Sequence, residues 1–589
     1  MKEFFKFVFA SMVGFVLSFV VLLLLLIVMV TALVSSAGKE SKADVSANSV
    51  LHFQVEHPIL ERTNKNPFDQ VDLLSLDTKK QLGLNDILAS IKKAASDDHI
   101  KGIYLDLSTL QGGLATIEEI RNALLEFKKS GKFILAYSEV YSQGGYYLAS
   151  VADKIYLNPE GIIDFRGFSS EIAFFKGTLD KLDIEAQVIK VGTFKSAVEP
   201  FILDRMSDPN RKQVTAFLGS MYDHFLQGIS SARRIPRDSL EHIAGNALVR
   251  TAGDAVRFKL ADGLRYKDEV LAELKSRSGI QSDRKVKSVG LAEYAPTSEE
   301  KSSSASGRVA IVYANGEIIS GEGDDGTIGS DRISRAIRMA REDKKVKAVV
   351  LRVNSPGGSA LASDVIWREV VLTKKVKPVM VSMGDVAASG GYYIACAADS
   401  IFAQPNTITG SIGVFGIIPN MKNFFNNKLG ITFDGVKTGK YADLGTVNRP
   451  LTEEERLIIQ SEVNKIYSSF TGKVAQGRKK SQAYIDSIGQ GRVWSGIEAK
   501  NNGLVDRLGN LDDAIRAAAG KANLDEYKIV EYPALKDPLQ GLFDQSTDKI
   551  KAYFTQRELG ESYQYYQQVK SALRSTGIQA RLPYSISIR

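Results

Sequence analysis

After Lys6 the chain carries no charged side chain until Lys39, and residues 8–33 are dominated by Val, Leu, Phe, Ile and Met. An apolar run of that length crosses about 30 Å of hydrocarbon as one helix. The competing reading is a cleaved signal sequence, with Ser35, Ser36 and Ala37 as its small-residue cleavage site. The run is about twice the usual 7–15-residue apolar core of such a sequence, which favours an uncleaved anchor over residues 8–34. Lys2 and Lys6 precede it, so the positive-inside tendency keeps residues 1–7 in the cytoplasm and sends the rest across. In a bacterium this predicts a single-pass protein of the inner membrane with its body on the periplasmic side.

Beyond a polar stalk at 35–48 the pattern changes to short strand-like runs separated by helical spacing. Residues 50–57 alternate, 100–107 and 132–140 read as buried strands, and 115–131 has the period of a helix closed by Gly131. Strand and helix then alternate, which predicts parallel sheet flanked by helices over residues 49–280. Residues 281–307, with Pro296, Ser302, Ser303 and Ser304, read as a linker. A second alternating strand opens at residue 308, and the same order of elements follows to about residue 535. The tail, 536–589, is rich in Tyr and Gln and has one helical stretch at 546–573.

The two halves are copies of each other. YSQGGYYLAS at 141–150 aligns with AASGGYYIAC at 387–396, and VGTFKSA at 191–197 aligns with TGKYADL at 438–444. Leu105 with Leu351, Gly112 with Gly357, Gly144 with Gly390, and Gly192 with Gly439 keep offsets of 245 to 247 residues. In this alignment Gln143 stands opposite Ser389, and Ala442 stands opposite Lys195. A serine without a base and a lysine without a nucleophile are inert apart, whereas together they form a Ser-Lys dyad. The duplication therefore predicts one site shared between the repeats.

The surroundings of both residues suit this chemistry. Ser389 follows the strand-like run 378–383 and precedes Gly390, Gly391 and an apolar helix-forming stretch, so small neighbours and free N–H groups face an oxyanion. A second donor is expected from the loop Ser355-Pro356-Gly357-Gly358-Ser359, with Gly358 and Gly390 as the oxyanion-hole candidates and Gly357 as the alternative. Lys195 must be neutral to take the serine proton, so its pKa must drop from about 10.4 to near neutrality, which requires burial away from water and anions. Its neighbours are mostly apolar, and Glu199, four residues on, must point elsewhere. Ser411, in TITGSIGVFG, is the candidate for orienting the lysine, with Ser196 as the adjacent rival. Lys190, Lys437 and Lys440 are expected at the surface.

Composition narrows the alternatives. A net charge of +8 is dispersed, with no basic block of the kind nucleic-acid binding needs. The single cysteine, Cys396, cannot form an intrachain disulfide and is expected to be a small buried hydrophobe. All five histidines lie in the first half, and no Cys/His spacing suggests a metal site. No cofactor is expected.

VGTFKSAVEPF, NSPGGSA, MGDVAASGGYYIACAAD and TGSIGVFG stand in the order found in the signal peptide peptidase A, or protease IV, family, which the chain resembles from the anchor to about residue 535 in its long two-repeat form. The resemblance implies a crotonase- and ClpP-like α/β fold, Ser389 as nucleophile, Lys195 as general base, and cleavage of released signal peptides. It also implies a ring-like homo-oligomer, commonly a tetramer. Two other classes remain open beside it. An acyl-CoA enzyme would bind CoA, and an inert membrane scaffold would be indifferent to loss of Ser389.

Overall fold

The structure, a computed structural model, describes residues 2–37, 45–63, 82–108, 110–281, 283–295, 305, 307–534, 555, 558, 563 and 578–581. Half of the expected stalk, part of the linker, and the tail helix apart from three residues lie outside these. The apolar N-terminal run forms one 36-residue helix, Lys2–Ala37. Its stretch Glu3–Leu22 is long and apolar enough to cross a membrane, and none of it is buried against protein.

Each repeat is built on one sheet. In the first the strand order is Gly263–Leu264, Lys154–Ile163, Phe133–Tyr141, Ile100–Asp106, Ser49–Gln54 and Ser288–Gly290, with every pairing parallel. In the second, Arg308–Asn315, Val346–Ser355, Val379–Ala388, Ser400–Ala403 and Arg507–Leu508 repeat that order, and Lys528–Tyr532 pairs with the other edge of Arg308–Asn315. Helices cover both faces, so the central strands are buried on both sides and read as continuous apolar runs. Val349, Val350, Leu351 and Val353 are all buried, and each fully buried Val or Leu side chain contributes about 1.5–3 kcal/mol. The tandem parallel α/β fold predicted from the duplication is the fold observed.

The linker region is shorter than the sequence suggests. Residues 288–290 form a strand that pairs with Ser49–Gln54, and Leu291–Tyr294 is a helical turn with Leu291 and Tyr294 buried. This strand occupies the place that Lys528–Tyr532 holds in the second repeat. With three residues it is too short to show a period.

A third sheet joins the halves in the order Thr327–Gly329, Glu317–Ile319, Gly357–Ser359, Ile578–Arg581, Val414–Asn420 and Glu185–Val191. Glu185–Val191 comes from the first repeat and pairs antiparallel with Val414–Asn420 of the second over seven residues. The strand that leads towards Lys195 is thereby fixed to the segment that follows Ser411.

Candidate active site

The strand Val379–Ala388, paired on both sides, ends at Ser389, the residue that precedes the helix Gly390–Ala395. Ser389 has φ 55° and ψ −111°, a backbone conformation that costs a non-glycine residue about 1–3 kcal/mol and occurs chiefly at functional sites. Its N–H donates to the Gly410 carbonyl at 2.8 Å, which holds the turn. Strained strand-to-helix turns of this type present a serine hydroxyl away from its own backbone.

Lys195 arrives from the other repeat. Its Nζ lies 2.9 Å from Ser389 Oγ, 3.1 Å from Ser411 Oγ and 3.5 Å from the Ser411 carbonyl oxygen. All three residues are fully buried. An amine with two N–H bonds directed at the Ser411 hydroxyl and carbonyl turns its lone pair toward Ser389 Oγ. Burial pushes the Lys195 amine down to about 7, and no anion counters it. Glu199 accepts instead from the Ser207 N–H, the Ser207 hydroxyl and the Asn210 side chain, at 3.2, 2.5 and 2.8 Å. The lysine thus sits beside Phe415, in the cluster that also holds Ala197 and Val198.

Close backbone approach makes this placement possible. A Cβ on Gly491, whose φ is +79°, would fall 2.6 Å from the Lys195 backbone, so glycine is needed there. Phe194 N–H donates to the Gln490 carbonyl at 2.9 Å. Gln213 clamps the same loop by donating to the Phe194 carbonyl and the Ser196 hydroxyl while accepting from the Val493 N–H. Ser196 is therefore engaged away from the lysine, and Ser411 is the hydroxyl that touches it.

The two glycine motifs meet at the serine. Gly390 packs on Gly357, since a Cβ on Gly390 would lie 3.1 Å from the Gly357 Cα. The Gly357 N–H donates to Ser355 Oγ at 3.1 Å, which engages it and leaves Gly358 as the stronger donor candidate of the pair. Gln143, the counterpart of Ser389, spans the opposite space in the first repeat, donating to the Gly167 carbonyl and accepting from its N–H. Cys396 is buried, and burial pushes its thiol up to about 12. Lys437 and Lys440 pair with Asp443 and Glu454 near the surface. Among the described residues no cluster of His, Cys, Asp and Glu could hold a metal ion.

A buried charged group between the repeats was not anticipated from the sequence. Asp385, four residues before Ser389, accepts from the N–H groups of Ala115 and Thr116 at 2.9 and 3.0 Å and from the Thr116 hydroxyl at 2.6 Å. It thereby caps the helix Leu114–Lys128, whose own N-cap residue, Gly113, has no side chain to do so. Beside it the Arg352 guanidinium pairs with Glu61 and Glu119 of the first repeat, each at 2.8 Å. Burial disfavours the charge on Arg352, but the two carboxylates outweigh it and hold its pKa above the usual value. Arg352 interrupts the apolar run VVLRVN, and that interruption was the available signal.

Asp385→Asn converts an acceptor into a group that also donates toward donors. It is expected to cost about 2 kcal/mol, read as a fall in Tm of about 4–8 °C. The reaction rate at Ser389 should fall about tenfold as the strand ending there loses its anchor, a drop of roughly 1.4 kcal/mol in transition-state binding. An unchanged Tm would show that the contact contributes nothing.

Comparison with known proteins gives a consistent picture. The family model of peptidase family S49 matches residues 126–281 and 372–525. Protease 4 of Salmonella typhi is 37% identical over 530 residues, covering 87% of this chain and 85% of that protein. Protease 4 of Haemophilus influenzae is 37% identical over 507 residues, covering 83% and 81%. The chloroplastic serine protease SPPA of Arabidopsis thaliana is 36% identical over 475 residues, covering 79% and 69%.

Proposed function

The chain belongs to peptidase family S49 and is a serine protease, and from that premise we propose that it hydrolyses peptides through a Ser389–Lys195 dyad assembled from its two repeats. The observation that carries this reading is the 2.9 Å approach of a buried lysine to a strained serine. Neutral Lys195 takes the proton of Ser389 Oγ as the oxygen attacks the peptide carbonyl. The N–H groups of Gly358 and Gly390 hold the oxyanion. Lysinium then protonates the departing amine, and water, activated by the same lysine, hydrolyses the acyl-enzyme. Ser411 orients the amine throughout.

The substrates in this reading are released signal peptides and other apolar peptides. An N-terminal helix able to anchor the protein beside a bilayer supports this. The body then lies on the periplasmic side of a bacterial inner membrane. Leu429, Ile431, Phe433 and Val436 are exposed on one stretch of the second repeat, and such apolar patches mark contact surfaces, which supports a homo-oligomer, a tetramer in the family's pattern. Full-length protein in detergent should cut a fluorogenic apolar peptide and leave a folded hydrophilic protein intact. Equal cutting of both would contradict the substrate class.

A further inference from the structure

The two glycines proposed to hold the oxyanion sit at the heads of two helices, and one buried tyrosine ties those helices together. Gly390 opens the helix Gly390–Ala395, and Gly358 lies two residues before the helix Ala360–Lys374. The two heads touch, since a Cβ on Gly390 would fall 2.7 Å from Ser363 Oγ. Each head is also tied back to its own first turn. The Tyr393 N–H donates to the Ser389 carbonyl at 2.8 Å, and the Ser363 hydroxyl donates to the Ser359 carbonyl at 2.8 Å.

Tyr393 joins the two helices through its hydroxyl. The O–H donates to Asp364 Oδ1 on the helix Ala360–Lys374 at 2.8 Å, and its oxygen accepts from Lys473 Nζ at 2.9 Å. Lys473, from the long helix Glu453–Arg478, also pairs with Asp364 and lies 4.2 Å from the centre of the Trp367 ring. Tyr393 is buried and packs on Phe470, with ring centres 4.5 Å apart. Burial, and then the Asp364 carboxylate, hold its pKa well above the usual value, so the hydroxyl stays a donor at every working pH. The first repeat carries the same tie in Tyr147 and Glu118, 246 residues before Tyr393 and Asp364, with the Tyr147 hydroxyl donating to Glu118 at 2.5 Å. There the cation is Arg121, 4.7 Å from the centre of the Tyr147 ring. Gly228 stands where the second repeat has Lys473, because the helices Asp208–Arg233 and Glu453–Arg478 align end to end. Two different cations complete one arrangement, so what the two repeats share is the tie itself.

We infer that Tyr393 is a positioning residue for the proposed reaction: with Asp364 and Lys473 it sets the separation of the Gly358 and Gly390 N–H groups around the oxyanion. The inference rests on the dyad and oxyanion assignments above. The Tyr393 hydroxyl is engaged by Asp364 and Lys473 rather than by Ser389, Lys195 or Ser411, so it acts only through the heads of the helices. The donors that it places are needed in full only when the carbonyl oxygen becomes an anion, which makes their spacing a matter of kcat rather than of ground-state binding. Loss of the hydroxyl leaves Asp364 joined to Lys473 but frees the helix after Ser389 from the helix after Gly358. Small misplacements of this kind are costly to rate even when they arise away from the chemistry. In the first repeat the same tie holds Gln143 in place of a nucleophile, so its loss there should disturb the fold and spare the rate.

The test compares full-length wild type, Tyr393→Phe and Tyr147→Phe in detergent, with Ser389→Ala alongside, reading kcat, KM and Tm with a fluorogenic apolar peptide. Tyr393→Phe should lower kcat about tenfold, with KM within about twofold of wild type. The midpoint of its pH profile should stay near 7, because Lys195 is untouched. Tyr147→Phe should lose a comparable amount of Tm while keeping kcat within about twofold. Lys473→Gln, at a partly exposed end of the same tie, should reproduce the loss in kcat, and it carries the test if Tyr393→Phe does not fold. Wild-type kcat in the variant that carries the test, a rise in KM that accounts for the whole loss, a shifted midpoint, or an equal loss of kcat in Tyr147→Phe overturns the positioning role and leaves the dyad standing. Wild-type activity in Ser389→Ala overturns the dyad, and the positioning role with it.

Discussion

Ser389→Ala is expected to lower kcat about 10⁴- to 10⁶-fold, the loss found when the nucleophile of a serine protease is removed. Among the described residues, the other hydroxyl and thiol groups named beside the site are engaged or held unreactive, Ser363 Oγ donating to the Ser359 carbonyl. Ser411 Oγ is engaged by the lysine, Ser355 Oγ accepts from Gly357, and the Cys396 thiol is buried with its pKa pushed up to about 12. The fold should survive, because the substitution removes one oxygen from a backbone held by the Gly410 hydrogen bond and by the packed glycines beside it. Measurement of kcat against an apolar peptide together with Tm separates the two effects. A residual activity within tenfold of wild type would mean that another residue is the nucleophile.

Lys195→Ala should lower kcat/KM by about 10³-fold or more, the combined effect of losing a general base and the orientation it gives the nucleophile. Lys195→Arg should do the same, since a guanidinium stays protonated throughout the working range. The sign of the pH dependence follows from burial. Below about 7 the amine is protonated and cannot accept the serine proton; above it the amine is neutral and active. Wild-type kcat/KM should therefore rise about tenfold per pH unit on the acid side and level off above neutrality. A profile that falls with rising pH across this range would contradict the assignment.

The duplication made most of this site legible. A missing serine in one copy and a missing lysine in the other single out Lys195 among many lysines, something that local composition alone cannot do. The main parallel strands were equally readable, because burial on both faces leaves largely apolar runs such as 346–353, broken by Lys347 and Arg352. What escaped was nonlocal or short. Gly357–Ser359, Ser288–Gly290 and Ile578–Arg581 are three or four residues long, too brief to show a period, and each is a strand only because of what lies beside it. The contacts of Asp385 with a helix cap 270 residues earlier arise from the docking of two repeats. The choice of Ser411 over Ser196 likewise depended on Gln213, whose amide reaches across from the helix Asp208–Arg233 to engage Ser196.

In the proposed mechanism a lysine from one repeat activates a serine from the other. The most direct measurement is the rate at which a fluorophosphonate labels Ser389 between pH 5 and 9, in wild type and in Lys195→Ala. Wild-type labelling should rise with pH through a midpoint near 7, as burial sets the lysine amine, while Lys195→Ala should label at least about 10²-fold more slowly, the lower end of what a general base contributes, and lose that midpoint. Labelling of Lys195→Ala at the wild-type rate, or with the same midpoint, would contradict the account.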